Sequence, residues 1–165
     1  MKARGLDAID LKILAVLQTQ GRITNRQLAT SVGLSPSPCL ERVRRLEQAG
    51  YIRGYRALID LDKLYAPVTV MAQITLAAHG KGRQAAVEPQ LTCEPTLVEL
   101  LEVSGDCDYV ARFVVPSIAF YQRLTAQWLA APALGIERIV SHVVMRQVKE
   151  AAALPLAPAE DSSGP

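Results

Sequence analysis

The sequence has few of the residues that enzyme and metal chemistry need. It contains three cysteines, two histidines and 5% aromatic residues. The cysteines, Cys39, Cys93 and Cys107, are odd in number and widely spaced, which suggests neither a disulfide framework nor a zinc cluster. Each reads as a small buried hydrophobe. With only His79 and His142, no Ser or Cys nucleophile stands in a recognisable setting with a base. No H-E-x-x-H occurs, and "GKG" at 80–82 lacks the rest of a phosphate-binding loop. No catalytic residue, metal ligand or cofactor is therefore expected. No apolar run reaches membrane-span length, and the start, "MKARGLDAID", lacks the apolar core of a secretory signal. A soluble, cytoplasmic chain is expected.

What is present is a charge imbalance. The net charge of +2 hides two opposed halves: residues 1–56 hold ten Lys/Arg and four Asp/Glu, whereas 57–165 hold eight and twelve. A basic module that meets a polyanion, joined to an acidic module with another task, fits this division.

Residues 6–20 read as a helix. Asp7 is its cap, Leu6 and Leu11 form a hydrophobic staple, and Ile9, Ile13, Val16 and Leu17 lie on one stripe. "TNRQ" at 24–27 is a capping box opening a second, shorter helix, with Ile23 and Leu28 as its staple; Gly33 ends it. The third helix starts in "GLSPSPCLERVRRLEQAG". Pro36 and Pro38 suit a first turn whose amides have no internal partner, with Ser35 or Ser37 as cap. Leu40, Val43 and Leu46 are the expected buried stripe, with Cys39 at its edge. The opposite face carries Ser37, Pro38, Glu41, Arg44, Arg45 and Gln48, with Arg42 on the flank. This face reads either as a solvated surface with an i,i+4 pair between Glu41 and Arg45, or as a recognition helix in a DNA groove. Its third place in a helix-turn-helix within a basic module favours DNA.

After Gly50, residues 51–64 alternate enough to be extended, either as a strand linking two domains or as a wing of the first. Val68, Val70, Ala72, Ile74 and Leu76 mark a half-buried strand. "HGKG" is a break, and 83–92 a helix that Pro89 shortens or kinks. Residues 96–104 suit a strand, "GDCD" a turn, and "YVARFVV" a strand. Ser117 caps a helix through Leu129, and 136–148 form a last strand. The order βαββαβ is the ferredoxin-like unit. Small residues and prolines beyond 150 predict disorder for most of the tail. Asp106 and Asp108 on a Gly-led turn are either a plain hairpin turn or a place that receives an amino acid's ammonium on Asp and its carboxylate on backbone amides.

Three segments, "GLSPSPCLERVRRLEQAGYIRGY", "VSGDCDYV" and "VVMRQVKE", resemble the Lrp/AsnC family of transcription regulators, and the likeness runs from about Leu6 to Glu150. The resemblance implies an α+β chain: a winged helix-turn-helix domain (1–52), a linker strand (53–66) that pairs with a second subunit, a ferredoxin-like effector-binding and oligomerisation (RAM) domain (67–150), and a tail (151–165). It implies DNA contacts from Thr24, Asn25, Arg26, Ser35, Ser37, Pro38, Glu41, Arg42, Arg44 and Arg45. It also implies a small amino-acid effector beside Gly105, Asp106 and Asp108, with Ser141, His142, Val143 and Val144 of the last strand lining the pocket between neighbouring dimers. Cys107 and His142 stand where an aromatic and a tyrosine are common in the family. The implied partners are double-stranded DNA, the effector, and further copies forming dimers and octamers on the nucleoid. Two other readings are an architectural DNA-binding protein without a working effector pocket, and the regulatory subunit of a metabolic enzyme.

Overall fold

The computed structural model describes residues 5–77, 81–149 and 153–156, with backbone only at 81–84. His79 and residues 157–165 of the tail lie outside the described residues. The chain forms two compact units, Met1–Leu58 with Lys149–Pro165, and Ile59–Val148.

The first unit is built on three helices: α1 (Ala8–Thr19), α2 (Asn25–Val32) and α3 (Pro36–Gln48). Each begins at a residue that cannot continue the preceding turn. Asp7 accepts from the amides of Ile9 and Asp10, and the Asp10 carboxylate returns a bond to the Asp7 amide. Thr24 and Gln27 make the same reciprocal pair at α2. Ser35 caps α3 through its extended backbone, with no side-chain bond, and Pro36 takes the first helical position. Gly33 and Gly50 both have φ +75°, where a side chain is disfavoured. At each, backbone amides bond back to the preceding turn: Leu34 N–H to the Ala29 carbonyl, and Tyr51 N–H to that of Leu46.

Ile13, Leu28, Ala29, Val32, Cys39 and Leu46 form the core of this unit. The buried line of α3 therefore runs through Cys39 and Leu46, two turns apart. Leu40, expected inside, is exposed, and Val43 is only half-buried. The small thiol fits where α3 is most enclosed, and burial raises its pKa. Only Cys39 is a buried cysteine; Cys93 is exposed and Cys107 half-buried, contrary to expectation. Residues 153–156 also depart from the disorder expected of the tail. The Leu154 amide donates to Gln18 Oε1 at 2.6 Å, and its carbonyl accepts from Gln18 Nε2 at 3.3 Å.

Within the single chain, residues 53–60 have no strand pairing, and a 3-10 turn follows at Leu61–Lys63. Alternation can make a segment extended, but a strand also needs a neighbour to take its backbone bonds.

The second unit has the order β1 (Val68–Leu76), α4 (Lys81–Thr92), β2 (Leu97–Glu102), β3 (Tyr109–Val115), α5 (Ile118–Ala130), β4 (Ile136–Val143), with the sheet ordered β2-β3-β1-β4. All three strand pairings are antiparallel. Val70, Ala72, Ile74 and Leu76 of β1, and Tyr109, Ala111, Phe113 and Val115 of β3, face a core shared with Val87 and Leu91 of α4 and Tyr121, Leu124 and Trp128 of α5. Phe113 is its centre, edge-on to Tyr121 at 5.3 Å and tilted to Trp128 at 5.6 Å between ring centroids. Both helices of this unit, α4 and α5, pack on that one face of the sheet. α4 continues past Pro89 to Thr92 rather than stopping. β4 ends at Val143, short of the expected 148; Val143 lies opposite Val70, and the Val144 amide bonds the Thr69 carbonyl one position further on.

Candidate nucleic-acid interface and ligand site

The surface of the helical unit is organised by four charged side chains on two helices. Asp10 on α1 has no exposed surface. Its Oδ1 accepts from Arg42 at 2.9 Å and its Oδ2 from Arg45 at 2.7 Å. The same Arg42 nitrogen reaches Asp7 Oδ2 at 2.6 Å. The Asp7 carboxyl is held below its ordinary pKa, first by the Asp10 amide and then by the Arg42 guanidinium. Arg42 is correspondingly raised, first by its bond to Asp7. A buried carboxylate needs such partners, because an unpaired charge there is costly.

This network revises the expected face of α3. Arg42 and Arg45 lie one helical turn apart and point to α1. The i,i+4 pair between Glu41 and Arg45 does not form; Arg45 turns to Asp10 instead. Among the described residues, Arg44 makes no ion pair and is exposed, as are Ser35, Ser37, Pro38 and Glu41. At the start of α2, Arg26 is exposed, while Thr24 and Asn25 have internal duties. Thr24 closes the capping box, and the Asn25 amide donates to the Pro36 carbonyl at 2.8 Å. That last bond ties the first turns of α2 and α3 together. Sequence reasoning found the arginines and the cap. It missed the role of Asp10, whose only signal was a carboxylate three residues after a capping Asp in a module with four acids.

In the second unit, Gly105, Asp106 and Asp108 sit in the turn between β2 and β3. Asp106 is exposed. Asp108 is tied into the sheet: its amide donates to the Ile74 carbonyl at 3.0 Å, and its Oδ2 accepts from the Leu76 amide at 2.8 Å. The carboxylate thus holds the turn against the end of β1. Ser141 and Tyr121 share a hydroxyl–hydroxyl bond of 2.6 Å, linking β4 to α5. Burial raises the Tyr121 pKa, and the Ser141 bond opposes that rise.

The last-strand residues do not act as one surface. Ser141 lies opposite Ala72 on the helix-covered side, whereas His142, opposite Met71, belongs to the open side. Nor does this segment meet the turn. Asp108 is level with Leu76 and Val143 with Val70, six residues apart along β1, or about 20 Å. Within one chain, the two halves of the expected effector site are at opposite ends of the sheet.

A cleft of about 260 Å³ is lined by Glu88, Thr92, Leu100, Glu102 and Tyr109. Tyr109 donates to Glu88 at 3.0 Å, and burial followed by this bond raises its pKa. Among the described residues, its lining includes two carboxylates, Glu88 and Glu102, and no cation. Among the described residues, no group of three His, Cys, Asp or Glu could hold a metal ion, and no helix is long and apolar enough to cross a membrane.

Known proteins share both units. A winged helix-turn-helix DNA-binding family model matches residues 6–53, and an Lrp/AsnC ligand-binding domain model matches 69–154. The chain is 43% identical over 148 residues to the transcriptional regulatory protein DoeX of Halomonas elongata, covering 90% of this chain and 93% of that protein. It is 42% identical over 150 residues to the leucine-responsive regulatory protein of Escherichia coli K12, covering 89% of each. An AsnC family regulator from Agrobacterium tumefaciens aligns with a TM-score of 0.84 at 36% identity, covering 92% of this chain and 97% of that one. A Neisseria meningitidis regulator, solved as a complex with L-Met, aligns with the same TM-score at 29% identity and the same coverage. These relatives are regulators rather than enzymes. With a trihelical basic unit and a βαββαβ unit matched over nearly the whole chain, the protein belongs to the Lrp/AsnC family of DNA-binding transcriptional regulators that carry a ligand-binding domain.

Proposed function

We propose that the protein regulates genes of amino-acid metabolism by binding duplex DNA through α3 and responding to a small amino acid through its second unit. The observation that carries the DNA reading is the exposed row on α3, Ser35, Ser37, Pro38, Glu41 and Arg44, presented by the helix that follows the Gly33 turn. A helix displayed this way enters the major groove by its N-terminal residues. Arg44 then reaches a phosphate or a guanine edge, and Arg26 with the first amides of α2 meets the backbone. Arg42 and Arg45 contribute mainly by fixing the helix.

The separation of Asp108 from Val143 bears on the effector. One chain does not bring the turn and the last strand together, so a shared pocket requires the turn of one copy to meet the β4 end of another. We infer a homodimer built on the helix-free sheet face, assembling further so that such seams form. The protein would act in the cytoplasm, on the nucleoid. The relative solved with L-Met supports an amino-acid ligand. The same separation favours a second reading, an architectural DNA-binding protein whose effector pocket is never completed.

Two measurements decide. Binding of the full chain to DNA from upstream of its own coding region should weaken steeply with added salt, and the Arg44→Ala variant should lose about 1–3 kcal/mol if the residue reads a base. A salt-independent affinity would remove the phosphate argument. Calorimetry with amino acids added singly should give heat with at least one; silence from all twenty selects the architectural reading.

A further inference from the structure

Resting on the DNA-binding reading above, we propose that Asp7 and Asp10 act as an internal substitute for phosphate: they occupy Arg42 and Arg45, hold α3 in place through them, and leave Arg44 as the α3 cation that meets DNA. They are positioning residues that restrain sequence-independent affinity.

The geometry is that of an anion site already filled. Asp10 presents one oxygen to each guanidinium, at 2.9 and 2.7 Å, and Asp7 adds a second carboxylate to Arg42 at 2.6 Å. These are the charge-assisted bonds an arginine makes to a DNA phosphate. The two anions differ in surroundings. A duplex phosphate stays in water and salt, where the attraction is screened. Asp10 has no exposed surface, so taking its arginines away would strand a buried charge. Exchange therefore runs against DNA. The carboxylate also bonds the Asp7 amide at 3.2 Å, which anchors it to the first turn of α1.

Helical spacing separates the three arginines. Arg42 and Arg45 fall three residues apart on one side. Arg44 is two residues from Arg42, about 200° around the helix, and it is exposed and unpaired among the described residues. Of three cations on its recognition helix, the module thus leaves one that no carboxylate holds, although the Arg45 side chain is itself 57% exposed. The gain is selectivity. Phosphate contacts raise affinity for every sequence alike, so withholding two of them leaves base contacts a larger share of the discrimination.

The test is the slope of log affinity against log salt, measured with the full chain on a duplex of unrelated sequence. Arg44→Ala should flatten the slope by about 0.9, the value of one phosphate contact, while Arg42→Ala and Arg45→Ala should leave it unchanged. Asp10→Asn should steepen it by about 0.9, as Arg45 becomes available while Arg42 keeps Asp7, and raise affinity for the unrelated duplex. If Asp10→Asn fails to fold, Asp7→Asn serves instead. Asn still caps a helix, and the variant should steepen the slope by less, because Arg42 keeps Asp10. Flattening by Arg42→Ala or Arg45→Ala equal to that of Arg44→Ala overturns the inference while leaving DNA binding intact. A wild-type slope near zero overturns the DNA reading itself.

Discussion

The two units solve the same problem, fixing helices at set angles, with different materials. Among the described residues, the βαββαβ unit encloses fifteen buried ones around Phe113, and its two helices lie on a sheet whose register is set by three strand pairings. The helical unit encloses six, two of them as small as Ala29 and Cys39. Partly buried residues such as Ile9, Leu14 and Val43 extend this core, but it encloses less fully than the sheet's does. The difference is made up by polar ties: the capping boxes at Asp7 and Thr24, the Asn25 bond to Pro36, and the carboxylates of α1 against the arginines of α3. A unit that must display a basic face has cations at hand, and two carboxylates turn part of that surplus into structure.

The sharpest way to break this contrast is to attack each unit at its own centre. Phe113→Ala should cost about 3–5 kcal/mol of stability in the βαββαβ unit, read by chemical denaturation. A loss near that of a surface substitution would show that the aromatic cluster does not organise the core. Asp10→Ala should cost the helical unit about 2–3 kcal/mol. That is less than a fully buried pair would lose, because the Arg45 side chain is 57% exposed and partly screened. A neutral result would mean that the six-residue core suffices after all.

Smaller effects sharpen the comparison. Asp108→Ala strands the amide of Leu76, a residue only 1% exposed, and should cost about 1–3 kcal/mol whether or not an effector is present. If stability is untouched and only ligand response is lost, Asp108 belongs to the ligand and not to the sheet. Least in size is the effect of acid. The folded-state pKa of Asp7 lies below its ordinary 3.8, so its contribution is complete above that value and fades as pH falls through the depressed one. Thermal melts from pH 5 down to pH 2 should show Asp7→Asn losing less stability than the wild type, with the two curves parallel above pH 5.

Much of this was legible in the chain. Capping chemistry is local, so Asp7, Thr24 and Ser117 marked helix starts that the structure reproduces. Alternation is local too, and the buried faces of β1 and β3 fall on the residues it named. What escaped were bonds spanning long stretches of chain. Arg42 and Arg45 find Asp10 across 32 and 35 residues, Asp108 finds Leu76 across 32, and Leu154 finds Gln18 across 136. Pairing along β1 puts the turn and the last-strand residues about 20 Å apart within one chain, a distance that pattern alone does not give.

Taken alone, the order of residues determined which segments coil, which extend, where each begins, and that the cations gather in the first third. Those outcomes follow from interactions within four or five residues. Only the tertiary structure decided which arginines of α3 pair with carboxylates of the first helix, which carboxylate is buried, and which residues share a face. A side chain's partner depends on what the fold brings within about 3 Å of it, and the fold here brings carboxylates of α1 to two of the three guanidinium groups before any DNA is present.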